Sequence, residues 1–362
     1  MLFAVFVSLG VFGFAASQTI DETIDEQESI KMLGGVWAIK PTTSYELMSH
    51  RKRTFDQSLL AIMNQLHEVA ESLPRYTAHQ LLIAYYQLAQ PLVETSEGRR
   101  TCWTIGAASA AMLLLWKIPP IRPFLSRHFA HDPLSGKSYT MLTSLLSYKS
   151  FLHFALTSMT LTSFGAMTAF HFQEQLIRYP HDFPVEATIK WKLLAFLISA
   201  GLFSTAYAHF AALRHQYPRL LSRLTSSAVL ERNASALMKA GVKPVKTAGP
   251  TSLKPLMGMS GAACAALTYS ILAFPDVNFD VFGLFQINPM WIFHAVMAPT
   301  LVGVTFAMWT SYWPLYVNHF VHLGGACFGA IWLEYGDTAW IYARIATLMI
   351  KIQWHKFWEA FQ

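Results

Sequence analysis

Two strings in this chain carry residues whose types and spacing suit covalent chemistry. Ser260 stands in Gly258-Met259-Ser260-Gly261-Ala262, at the start of an apolar run, and His322 stands in His319-Phe320-Val321-His322-Leu323-Gly324-Gly325, at the start of another. A serine hydroxyl is a weak nucleophile until a base takes its proton, and histidine suits that task near neutral pH. Polar side chains in membrane-length apolar segments are costly to hold there, so they are candidates for function. Glycines at 258 and 261 remove bulk around Ser260 and let a substrate backbone approach. A helix that starts here also turns free N–H groups toward a reacting carbonyl, which makes an oxyanion site.

Neither string is decisive alone, because glycine-rich apolar helices use the same residues for packing. The two together are more informative. Gly325 and Gly329 follow His322 on one helix face, and a Gly-x-x-x-Gly face lets a neighbouring backbone come close. The serine helix offers a small face of Ser260, Ala263 and Cys264, so tight contact is expected to bring His322 to Ser260. His319 and His322 have metal-like spacing, but no third ligand and no His-Glu-x-x-His accompany them, so no metal is expected. No Asp or Glu lies within the two runs except Glu334 at the far end of the second, so the expectation is a dyad without a carboxylate.

The elements that must position these residues are apolar spans. The chain is 53% hydrophobic and only 13% charged, where soluble domains carry about 25% charge. With a mean hydropathy of +0.33, it reads as an all-α polytopic membrane bundle. Runs near the spanning length of about 20 residues recur at 2–17, 102–118, 142–170, 191–213, 258–274, 291–313 and 316–333. The first is short, and the third is long enough to include a re-entrant or tilted part. Residues 18–100 are polar by comparison, and 76–93 has the spacing of a packed or interfacial helix.

Loop charge orients the spans. Loop 117–140 holds Lys117, Arg122, Arg127 and Lys137 against Asp132. Loop 214–257 holds Arg214, Arg219, Arg223, Arg232, Lys239, Lys243, Lys246 and Lys254 against Glu231. Loops 171–190 and 275–290 lean acidic. Basic loops stay inside, so seven spans with the N-terminus inside place Ser260 directly after an inside loop. That pattern explains the net charge of +6 without nucleic acid. The longer basic loop ends in Pro244, Gly249, Pro250 and Pro255 and reads as a mobile connection. Its Asn233-Ala234-Ser235 sequon gets no role on an inside loop. Cys102, Cys264 and Cys327 have neither zinc spacing nor a paired pattern.

The paired motifs resemble those of the rhomboid intramembrane serine proteases. The likeness extends to Ser199-Ala200-Gly201, Phe274-Pro275 and Pro289-Met290. It is nearest to the mitochondrial presenilin-associated rhomboid-like branch, through Leu115-Trp116-Lys117-Ile118-Pro119, His319-x-x-His322-Leu323-Gly324-Gly325 and an extra N-terminal anchor. The resemblance covers about 100–345, with a weaker match over 4–16. It implies a six-helix core plus one anchor: an anchor helix at 1–17, an intermembrane-space-side segment at 18–100, the protease core at 101–345 and a tail at 346–362.

What the resemblance implies about function follows. Ser260 is the nucleophile and His322 the general base, with no cofactor. The Ser260 backbone N–H and His153 serve the oxyanion hole. Where the family pattern has His-x-x-x-Asn this chain has Thr157, and where many members place a tyrosine to hold the histidine ring it has Cys264. Substrates are single-span proteins of the mitochondrial inner membrane, such as a dynamin-like fusion GTPase or mitophagy- and apoptosis-linked proteins. The dyad opens toward the matrix. Alternatives are a catalytically weak or inactive relative that binds membrane clients, a transporter, which lacks the internal repeat that fold needs, and a secretory-pathway location with 2–17 as signal anchor. No Arg-rich, acid-poor presequence is visible in the chain.

Overall fold

The computed structural model describes residues 1–34, 42–218, 221, 222, 225, 255–281, 285–309 and 319–359. Asn233-Ala234-Ser235, Pro244, Gly249, Pro250 and most of the longer basic loop lie outside the described residues. Among the described residues the fold is helical apart from one short antiparallel hairpin, β1 (Phe279–Val281) with β2 (Phe285–Ile287). The helices are α1 (Leu2–Gly34), α2 (Ser44–Glu71), α3 (Arg75–Glu94), α4 (Glu97–Leu115), α5 (Arg122–His128) and α6 (Thr140–Thr143). They continue with α7 (Phe151–Thr160), α8 (Ala166–Arg178), α9 (Lys190–Ala211), α10 (Ser260–Ala273), α11 (Pro289–Trp309) and α12 (His319–Glu359). All three cysteines are free.

Fewer helices pass as complete spans than the seven expected runs. Among the described residues, 2–32, 190–215 and 289–306 are long and apolar enough to cross a membrane. A fourth candidate is α4 with the short segment after it, bent by 99°. The differences have local causes. At the bend, Pro119 and Pro120 stop α4, and the Arg122 guanidinium caps its end by donating to the carbonyls of Trp116 (3.0 Å) and Lys117 (3.2 Å). The expected run 142–170 breaks at 144–150, because its polar groups are committed elsewhere. The Ser144 carbonyl accepts from the Gly258 N–H at 2.9 Å, and the Ser147 hydroxyl accepts from the Trp116 indole at 2.7 Å. Helix resumes at Phe151 and runs through a π turn at 161–165 into α8. The serine helix α10 has only 14 residues, ending where Phe274 meets Pro275.

The chain divides into two compact units. One contains 9–106, 158–196 and 332–362. In it, α1 runs past the expected boundary at 17 to Gly34, and α12 runs through the expected tail to Glu359. Buried Ala15, Ala16, Ala195 and Trp340 form its apolar core, with Phe12 stacked on Trp332 at 5.3 Å. Buried Glu186 accepts from the Trp340 indole (2.8 Å) and from Arg344 (2.9 Å), and buried Lys192 donates to Asp337 at 2.6 Å. These partners make charge tolerable there. A capping box between Thr43 and Glu46 starts α2, and α3 covers the expected 76–93 helix, tied back by the Tyr85 hydroxyl donating to the Leu59 carbonyl at 2.6 Å.

The other unit contains 1–8, 107–157 and 197–331. It holds every residue singled out above for chemistry.

Candidate active site

The segment that delivers Ser260 is pinned one residue after another by the stretch 131–148. Leu256 and His131 exchange backbone hydrogen bonds in both directions, at 2.8 and 3.0 Å. The Gly258 N–H donates to the Ser144 carbonyl at 2.9 Å, and the Met259 N–H donates to the Tyr148 hydroxyl, also at 2.9 Å. Gly258 has φ +95°, and a Cβ there would lie 2.8 Å from the Tyr148 ring and 2.9 Å from the His153 ring. Gly258 is therefore a turn residue at a crowded point rather than a helix-packing glycine, and its left-handed backbone explains the residue type.

Helix α10 begins at Ser260 without a side-chain cap, and its first helical bond runs from the Ala263 N–H to the Met259 carbonyl at 2.9 Å. The N–H groups of Ser260, Gly261 and Ala262 precede that bond, as at any helix start. They form a local array of donors around the serine, reinforced by the positive end of the helix dipole.

The helix carrying His322 lies against this one with little between the backbones. A Cβ on Gly325 would sit 2.0 Å from the Gly261 carbonyl oxygen, and one on Gly329 2.3 Å from that of Ala265. Both pairs step by four residues in the same direction, so the helices run parallel and in register. His322 is one turn before Gly325, at the end of the seam where Ser260 starts its helix. The closest contact runs through Gly261 and Ala265, whereas Ser260, Ala263 and Cys264 were the expected small face. Of these, Cys264 lies beside the seam in a buried apolar cluster with Met297 of α11 and Ala326 of α12, flanked by Phe293 and Val296.

A third helix closes the junction. Ser204 of α9 lies where a Cβ on Gly261 would be, 2.4 Å from its own Cβ, and its Cα is 3.1 Å from a Cβ built on Gly324. Ser204 donates to the Ala200 carbonyl at 2.5 Å, so its hydroxyl is satisfied within α9. The His322 ring meets that of His319 edge-on, with centroids 6.4 Å apart. Buried His319 in turn packs on Gly303 of α11, where a Cβ would lie 2.5 Å from the imidazole.

His153 stands in the first turn of α7, within electrostatic reach of His322. Its ring meets the Tyr148 ring edge-on at 5.1 Å. Thr157 is 4% exposed, and its hydroxyl donates to the His153 carbonyl at 2.8 Å. Its one proton is thus directed into its own helix.

Two further histidines escaped the sequence reading. His131 is 1% exposed and linked to His209 of α9 (Nε2 to Nδ1, 3.0 Å) and to the Thr140 hydroxyl (Nδ1 to Oγ1, 2.8 Å). Thr140 spends its proton on the Lys137 carbonyl at 2.6 Å, so it accepts from His131 Nδ1–H. His131 Nε2 is then the acceptor for His209 Nδ1–H. Burial, with His209 beside it, pushes His131 down to about 4, and Asp132 opposes this only in part. Polarity near apolar runs was the available signal for this pair, but 78 positions separate the two residues. Among the described residues no group of three or more His, Cys, Asp or Glu converges as a metal site.

Residues 135–337 match the Rhomboid domain. The presenilin-associated rhomboid-like protein, mitochondrial, of Bos taurus is 24% identical over 264 residues, which cover 72% of this chain and 54% of that protein. The presenilin-associated rhomboid-like protein A, mitochondrial, of Danio rerio is 24% identical over 264 residues, 72% of this chain and 53% of that protein. The chain spans about half the length of these curated relatives. No solved structure matches it at a significant level.

Proposed function

The chain belongs to the rhomboid family, and from that premise we propose that it is an intramembrane serine endopeptidase that cleaves single-span membrane proteins with a Ser260–His322 dyad. The observation that carries this reading is the seam of Gly325 on Gly261 and Gly329 on Ala265. It sets the histidine helix in register with a serine helix whose first-turn N–H groups are open.

In this reading Ser260 Oγ attacks the scissile carbonyl while His322 takes the hydroxyl proton. The tetrahedral oxyanion is met by the Ser260 N–H and by His153. His322 then gives its proton to the departing amine, and an acyl-serine remains. Water, deprotonated by His322, releases the acid and restores Ser260. Thr157 would have to turn its hydroxyl away from the His153 carbonyl to add a third donor. The short α10 supports a buried reaction. Its 14 residues span about 21 Å of a hydrocarbon layer about 30 Å thick, so a helix ending at one interface starts below the other.

The six-helix core of this reading draws on α4, α7 with α8, α9, α10, α11 and α12, with α1 as the anchor. The basic loops put the mouth of the dyad on the inside. Similarity to two relatives named as mitochondrial supports a mitochondrial location; the inner membrane, with the matrix as that side, is the finer form of the proposal. Imaging the tagged full-length chain tests this, and a Golgi or plasma-membrane signal would refute it.

The deciding experiment is labelling with a fluorophosphonate probe together with cleavage of a reconstituted single-span substrate. Both are expected to vanish in Ser260→Ala and His322→Ala. A second reading, a client-binding protein with little activity, draws on the engaged Thr157 hydroxyl and the apolar setting of Cys264. It would be favoured by a folded wild-type chain that binds substrate but is neither labelled nor active.

A further inference from the structure

We infer that Tyr148 is a positioning residue for the reaction, holding the backbone that presents Ser260 and the ring of His153 in one fixed relation. The inference rests on the protease reading above and names a side chain that this reading does not use.

Tyr148 is 1% exposed, and it touches the site at three points. Its hydroxyl accepts the Met259 N–H at 2.9 Å, the N-cap donor that no side chain of α10 satisfies. Its ring fills the space where Gly258 would carry a Cβ, at 2.8 Å. The same ring meets His153 edge-on at 5.1 Å, and the Thr157 hydroxyl approaches the phenol from the next turn of α7. A buried N–H left without its acceptor is costly. The Met259 peptide would therefore turn to find another partner, and the Ser260 N–H and Oγ would turn with it. The His153 ring reaches the same point, 2.9 Å from a Cβ built on Gly258. Tyr148 thus touches both the nucleophile turn and the histidine assigned to the oxyanion, and holds the two together.

The two ends of the contact can be removed separately. Tyr148→Phe keeps the ring and deletes the acceptor. The α-hydroxy analogue of methionine at 259 replaces its N–H by an ester oxygen and so deletes the donor without adding an atom beside the Tyr148 hydroxyl. Each variant is expected to lower kcat and the rate of fluorophosphonate labelling at Ser260 by about 10- to 100-fold, with KM little changed. Because they break one contact, the double variant should be no slower than the worse single one. A general loss of fold would instead lower the thermal midpoint and raise KM, so both are measured on the same preparations. Labelling of Tyr148→Phe at the wild-type rate overturns the inference while the protease reading stands, and so do fully multiplicative losses in the double variant. A wild-type chain that is folded but never labelled overturns both.

Discussion

Gly325 meets Gly261 so closely that a Cβ added to Gly325 would lie 2.0 Å from the Gly261 carbonyl oxygen. No rotamer change can relieve that contact, because a methyl group on Gly325 faces backbone on a packed helix. Gly325→Ala is expected to push the serine and histidine helices apart and to destabilise the protein by at least the 1–3 kcal/mol typical of overpacking. Cleavage and Ser260 labelling should fall by more than 100-fold even in the fraction that remains folded. Circular dichroism melting and probe labelling on the same sample check this.

Gly258 and Gly136 separate backbone strain from crowding. Both have positive φ, +95° and +70°, but a Cβ at Gly136 meets nothing within 4 Å while one at Gly258 meets Tyr148 and His153. Gly136→Ala should cost only the left-handed penalty of about 1–2 kcal/mol and leave kcat within a few-fold of wild type. Gly258→Ala should lower kcat at least tenfold. Equal kinetics for the two variants would refute the crowding argument.

His131 makes acid a specific stress on the serine loop. Its folded pKa, about 4, lies below the unfolded value near 6.5, so between these limits the unfolded chain binds more protons. Its contribution is complete above about pH 6.5 and is lost as pH falls toward 4, on the order of a few kcal/mol. His131 also exchanges two backbone bonds with Leu256. The protection factor of the Leu256 N–H, taken relative to the intrinsic exchange rate at each pH, should therefore fall over that window. His131→Gln should flatten the pH dependence of stability between 4 and 6.5.

Cys264 tests whether the ring of His322 wants a tyrosine behind it. The thiol is buried with Met297 and Ala326, and the larger side chain has no room there. Cys264→Tyr is expected to lower the melting point by several degrees and to leave kcat no higher than wild type. A gain in kcat with unchanged stability would show that the missing tyrosine limits the enzyme.

The close packing of the two helices was legible in the residues themselves. Glycine spaced by four after His322, and the Gly-x-Ser-Gly string, are local signals that survive translation into helices. The partner face was less legible, because which side of α10 meets α12 depends on where Ser204 of α9 also fits. Tyr148 and His131 were not legible at all. Each acts through backbone groups more than 100 positions away, Met259 and Leu256, and pattern along a chain does not encode which distant N–H will need an acceptor.

The sequence by itself determined the class of chain and the two apolar runs that carry Ser260 and His322, since these follow from apolar length and residue type. Only the tertiary structure decided that α10 is short, that its seam runs through Gly261 and Ala265, and that the Thr157 proton points into its own helix. The reason is that close packing and buried hydrogen bonding are settled jointly by several segments, each of which excludes alternatives for the others.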